Sequence, residues 1–303
     1  MTVKLNKVLK PNALTNLDES LKQLSVEIEN LLVSQDLRGM KFAQSCLEPE
    51  YIYRAAKLIN QATGNVLIGT GFPVLDTFET DGPVGAIALY DALVKLGLSP
   101  IIACGDPLYS AMNNRFNCLR LSVNDKLNAT QFAQSTLAQL SPSLIISIER
   151  PGLTADGTYR NMFGEDISMR CASFDDFLNY ATCPSIGIGD GGNEIGMGNI
   201  KQHLTSHNIM ASQTCADELI VADVSNWAAY GILGLLSILI NHDLVAEIDP
   251  LKILQYLSDK GSVDGVTRNN TLTEDSLNYT VGVGIKDNIH RLCKPKISKG
   301  FKD

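Results

Sequence analysis

The chain has 303 residues, enough for one large domain or two modest ones, and 45% of them are apolar, so a sizeable core is available. A formal net charge of −8 argues against nucleic acid as the main partner, because phosphate binding needs a surplus of Lys and Arg. Seven cysteines without a C-x-x-C pair or zinc spacing read as reduced thiols of a cytoplasmic protein.

Met1-Thr2-Val3-Lys4-Leu5-Asn6 lacks the apolar run of a signal peptide. The longest apolar stretch, Trp227 to Ile240, falls short of the ~20 residues of a membrane span and reads as a buried helix. No membrane partner is expected.

Residues 1–62 read as an N-terminal helical segment packed on the main domain. Leu21, Leu24, Ile28, Leu31 and Leu32 recur at helical spacing, and a second helix is predicted from Pro49 to Ala62. This pair also offers a surface for a homo-oligomer. From Gly64 strands and helices alternate. Strands are predicted at Asn65–Gly69, Pro100–Cys104, Asn117–Leu121, Ser143–Ile148, Ser185–Gly189 and Glu218–Ala222. Helices fall near Pro83–Leu96, Pro107–Asn113, Ala129–Leu140, Phe174–Ala181 and Trp227–Ile240. Short apolar strands alternating with helices indicate an α/β fold with a mostly parallel sheet and helices on both faces, Rossmann-like, over residues 63–293. The chain after Val283 reads as loose, with residues 294–303 a flexible tail.

Such sheets bind ligands beyond the carboxyl ends of their strands, and three polar, glycine-rich segments fall there. The first runs from Gly69-Thr70-Gly71 to Glu79-Thr80-Asp81-Gly82-Pro83. Gly82-Pro83 reads as a helix start, whose free amides attract a carboxylate or phosphate. Gly71, Thr80 and Gly82 are therefore substrate-binding candidates, and Glu79 and Asp81 suit either metal ligation or proton transfer. The second is Ile148-Glu149-Arg150-Pro151-Gly152, where Glu149 suits a base and Arg150 the bidentate capture of a carboxylate. A structural Glu–Arg pair on a turn is the plainer alternative.

The third, Gly187-Ile188-Gly189-Asp190-Gly191-Gly192-Asn193-Glu194-Ile195-Gly196-Met197-Gly198, has too many glycines for a strand or stable helix. Asp190 and Glu194 are four apart and share a face if a helix begins near Asn193. Two carboxylates there suit a divalent cation, Mg²⁺ or Mn²⁺, or acid and base roles. Gly191, Gly192 and Asn193 offer amide groups to a substrate. Gly187, Gly189 and Gly192 also fit the dinucleotide fingerprint, although Asp190 would repel a pyrophosphate. His203 and His207 have metal-ligand spacing, but a solvated helix face explains them better.

Together these segments resemble the D-glutamate cyclase family, in the form of the C-terminal domain of the mitochondrial enzymes and of stand-alone bacterial proteins. Gly71-Phe72-Pro73, Glu79-Thr80-Asp81-Gly82-Pro83, Ile148–Gly152, Ala155-Asp156-Gly157 and Ile188–Asn199 carry the resemblance, which spans about residues 63–293. It implies a carbon–oxygen lyase that converts D-glutamate to 5-oxo-D-proline and water. The mitochondrial members also have an N-terminal domain similar to a hydro-lyase, which this sequence does not contain.

For that chemistry the γ-carboxyl would lie against the Gly191–Gly192 amides, or on a divalent ion held by Asp190 and Glu194. Arg150 would hold the α-carboxylate, and Glu149 or Asp81 would accept the ammonium proton. Two other functions fit the same loops: an enzyme of a nucleotide or phosphorylated metabolite, and a non-catalytic small-molecule-binding protein.

Overall fold

The computed structural model describes residues 11–204 and 210–297. Expectations for residues 1–10, for His207 and for residues 298–303 of the tail lie outside the described residues.

Three helices come first: α1 (Pro11–Leu32), α2 (Met40–Ser45) and α3 (Tyr51–Gln61). Nothing in the sequence near Pro49 caps α3, and the cap comes from α1. The buried Glu29 carboxylate accepts the Glu50 and Ile52 amides at 3.0 and 3.1 Å and the Ser25 hydroxyl at 2.7 Å. Otherwise these first-turn N–H groups would be buried without a partner.

The alternating region then runs β1 (Asn65–Thr70), a hairpin of β2 (Pro73–Val74) and β3 (Thr77–Phe78), α4 (Pro83–Lys95) and β4 (Ser99–Cys104). It continues with α5 (Leu108–Met112), β5 (Cys118–Arg120), α6 (Lys126–Leu140), β6 (Leu144–Ile148), α7 (Asp175–Asn179) and β7 (Ser185–Gly189). After β7 come α8 (Lys201–Leu204), β8 (Glu218–Val221), α9 (Ser225–Ile240) and α10 (Pro250–Ser258). A second hairpin, β9 (Thr273–Glu274) and β10 (Leu277–Asn278), leads into α11 (Tyr279–Ile297).

Among the described residues the main sheet has six parallel strands in the order β5-β4-β1-β6-β7-β8. This is the doubly wound order of Rossmann-like folds, with the expected helices on both faces. Strand order reverses between β1 and β6, which pair from Val66↔Leu144 to Thr70↔Ile148. The crevice beyond Thr70 and Ile148 is therefore the place where such a fold binds its ligand.

The two faces differ in depth. Val66, Ile68, Ile102, Ile146 and Ile220 belong to the larger core with α4 and α9. Leu67, Ile101 and Ile145 pack on the other face with Phe174 and Phe177, whose rings stack 4.9 Å apart. Ser225 through Ile238 of α9 are all buried. The helix contacts the sheet on one side and α1, α3 and α11 on the others, which is why it is apolar all round. No helix among the described residues is long and apolar enough to cross a membrane.

Two expectations need correction. The chain after Val283 is not loose: α11 continues to Ile297 and buries Ile285, Ile289 and Cys293. Its apolar positions are few, but α9 gives them a complementary surface. Second, no helix begins near Asn193. Bends and isolated bridges follow β7 as far as Met197, before a 3₁₀ turn at Gly198–Ile200 and the four-residue α8. The glycine fingerprint thus lacks the helix N-terminus that would receive a pyrophosphate.

Candidate active site

The loops after β1, β6 and β7 meet at the switch point. Asp81, Glu149 and Asp190 each offer a carboxylate oxygen, and these oxygens lie within 4.8 Å of one another. All three residues are buried. Glu149 is held at φ 44°, a left-handed conformation that costs a non-glycine residue roughly 1–3 kcal/mol and often marks functional sites. Gly82 makes this possible: a Cβ there would meet Glu149 Cβ at 2.6 Å, and its own φ is 88°.

Two helix N-termini fix the site. Asp81 precedes α4 yet caps α9, accepting the Ser225 and Asn226 amides at 2.8 Å each. Asn226 returns the favour to α4, its Oδ1 accepting the Gly82 and Gly85 amides at 2.9 and 2.7 Å. The Ser225 hydroxyl donates to Glu149 at 2.5 Å. Both helix dipoles therefore favour negative charge at the strand ends.

The cation of the site comes from the N-terminal segment. The Arg38 guanidinium donates to Asp190 Oδ2, to Asp275 Oδ2 at 2.7 Å and to the Asp223 carbonyl at 3.0 Å. Asp223, just past β8, also accepts the amides of Gln35, Asp36 and Leu37 at 2.7, 3.1 and 3.3 Å, which locks the turn that carries Arg38. Sequence reasoning missed Arg38, Asp223 and Asp275. Each lies in a short irregular segment with no motif, so no local signal marked them.

Six acids, Glu79, Asp81, Glu149, Asp190, Glu194 and Asp275, are buried around this one arginine. Burial, then Asp275, pushes the Asp81 carboxyl up to about 7. Burial also raises Glu149, helped by Glu194, Asp81 and Glu79. Asp190 stays raised by burial and its acidic neighbours although Arg38 opposes the shift. Burial alone would lower Arg38, but Asp190 and Asp275 outweigh it and hold the guanidinium above its ordinary value. Glu79 is raised by burial and by Asp275, and its carboxylate accepts no hydrogen bond from a described residue. A site with this excess of acids holds protons or attracts a cation.

The other expected site residues are placed differently. Glu194 lines the same cavity as Asp190 but lies outside the close carboxylate group, its Oε2 accepting the Gly192 amide at 2.7 Å. The same bond removes Gly192 as a donor to substrate, while a Cβ at Gly191 would meet Glu194 Oε1 at 2.9 Å. The α4 amides expected to bind an anion are taken by Asn226. Thr80 bonds the Thr273 carbonyl at 2.8 Å and is fully buried.

Arg150 turns away from the acids. It donates to the carbonyls of Thr70 at 2.8 Å and Ala172, and sits over the Phe174 ring. Carbonyls left without partners at the end of β1 draw it there, and with Gly71 it lines a separate cavity. Asn193 does line the acidic cavity, with its Nδ2 donating to the Arg160 carbonyl at 2.8 Å.

The mouth of the acidic cavity is built from irregular loops that carry Asn161, Met162, Phe163, Glu165, Arg170 and Arg268. Arg268 bonds Glu165 at 3.1 Å and stacks on Phe163 at 5.1 Å, tying the two loops together.

Fold and site thus define a Rossmann-like α/β protein with an acidic, small-molecule-sized cavity at its strand ends. The chain belongs to the D-glutamate cyclase-like, C-terminal family, whose model matches residues 28–288. That span takes in Arg38, so the match begins well before residue 63. Human mitochondrial D-glutamate cyclase is 33% identical over 58% of this chain and 33% of its own length. The chain therefore spans about a third of that relative. A solved exopolyphosphatase-related protein from Bacteroides fragilis aligns at a TM-score of 0.40 and 12% identity, over 84% of this chain and 61% of that one, a likeness that carries no argument.

Proposed function

We propose that this protein is a D-glutamate cyclase-like lyase that forms 5-oxo-D-proline and water. The observation that carries the reading is the meeting of Asp81, Glu149 and Asp190 at the switch point, in a chain of this family. These three would hold a divalent cation, Mg²⁺ or Mn²⁺, since hard oxygen ligands suit such ions. The bound ion would polarise the γ-carboxylate and ease departure of its oxygen.

The protein's own groups do the rest. The α-ammonium gives up two protons, its nitrogen bonds the carbon of the γ-carboxyl group, a C–O bond of that group breaks, and the departing oxygen collects both protons as water. Glu79, buried on the cavity wall with no hydrogen bond to its carboxylate among the described residues, faces the ammonium and relays a proton. Arg38 keeps Asp190 oriented, and the Gly192 amide does the same for Glu194. A phosphorylated ligand fits less well, because the acidic floor repels it and the nearby helix N-termini are already capped.

Incubation with D- and L-glutamate, with EDTA or added Mg²⁺ or Mn²⁺, tests this by product chromatography. The expected result is cation-dependent 5-oxo-D-proline, lost by about 10³-fold in Asp190→Asn. D-glutamate left unchanged under every condition rules the cyclase reading out.

A further inference from the structure

The acidic floor poses a problem for any substrate with two carboxylates. A cation or ammonium contact can offset one negative end, but the other must find a positive group elsewhere in the cavity. Three arginines line it: Arg38, Arg170 and Arg268. Arg38 is already held by Asp190 and Asp275, and Arg268 by Glu165. Arg170 differs. It ends the 3₁₀ turn Ser168–Arg170, and its Nη1 donates to the Leu75 carbonyl at 2.6 Å. Glu165 feels its charge, but that carboxylate bonds Arg268, and no carboxylate among the described residues forms an ion pair with Arg170, which is only half-buried. The Leu75 bond aims the guanidinium while leaving its other N–H groups available. A planar fork fixed in this way matches the geometry of a carboxylate.

We infer that Arg170, not Arg150, binds the α-carboxylate of the substrate and so selects amino acids over simple amines. This rests on the cyclase reading for the identity of the ligand, with the γ-carboxyl and ammonium at the floor. Arg170 is then a specificity residue in the wall of the same cavity.

Calorimetric titration of the full chain with D-glutamate and with 4-aminobutyrate, which lacks only the α-carboxylate, tests it. Wild type should prefer D-glutamate by about 10- to 100-fold, the scale of one charge-assisted bidentate contact. In Arg170→Gln the preference should collapse to about 2-fold, with 4-aminobutyrate binding unchanged. Arg170→Lys keeps the charge without the fork and should recover part of it, and it serves if the Gln variant does not fold. Equal loss of both ligands, a retained preference in Arg170→Gln, or no preference in wild type overturns the inference. Product formation is read separately, so binding with no 5-oxoproline would sink the cyclase reading and leave the Arg170 comparison standing.

Discussion

The floor and the mouth of the cavity carry charge in opposite ways. On the floor, Asp81, Glu149 and Asp190 sit at the ends of rigid strands and beside helix N-termini, buried and closely hydrogen-bonded. At the mouth, Arg268 and Glu165 face each other from loops, with side chains 34% and 49% exposed. Charges on the floor cannot relax into water, so each depends on its neighbours. Those at the mouth keep much of their hydration. The floor suits chemistry, and the mouth suits selection.

The sharpest way to break this contrast is Arg38→Ala. It leaves Asp190 and Asp275 facing each other without compensation, which should destabilise the fold by about 3 kcal/mol. A denaturant midpoint unchanged from wild type would mean that the floor relaxes as readily as the mouth.

Glu274 gives a second measure, through pH. Burial, then Asp81, pushes its carboxyl up to about 8, and it accepts the Asn226 side chain at 2.8 Å. Below about pH 4.5 both folded and unfolded states hold the proton, so the group is neutral to stability. Between 4.5 and 8 the unfolded chain ionises first, and stability falls as pH rises. Glu274→Gln, always neutral and of the same shape, should therefore be more stable than wild type by roughly 4 kcal/mol at pH 8, and by under about 1 kcal/mol at pH 5. A pH-independent gap in melting curves would contradict the assignment.

The smallest effect belongs to the mouth. Glu165→Ala breaks a half-exposed ion pair and should change stability by less than about 0.5 kcal/mol. A larger loss in the same melts would show that the two loops act as one rigid wall.

The three segments flagged by their glycines and acids do converge, because the carboxyl ends of parallel strands necessarily lie on one edge of the sheet. Which side chains point into the crevice was not legible. Arg150 follows a strand end, as a ligand-binding residue would, but the backbone carbonyls of Thr70 and Ala172 capture it. Gly192 looks like an amide donor for substrate, yet Glu194 occupies it. Backbone hydrogen-bond demand decided both, and it depends on neighbours distant in sequence.

By itself, the sequence determined the strands and the main helices, since apolar runs and glycine stops are local patterns set by burial and backbone geometry. It also placed Asp81, Glu149 and Asp190 in loops beyond β1, β6 and β7. Only the tertiary structure decided that Arg38 and Asp275, 237 positions apart, complete the floor. It also selected Glu149, rather than Glu194, as the neighbour of Asp81 and Asp190. The physical reason is that charge pairing acts through space, over a few ångströms, and leaves no period in the chain.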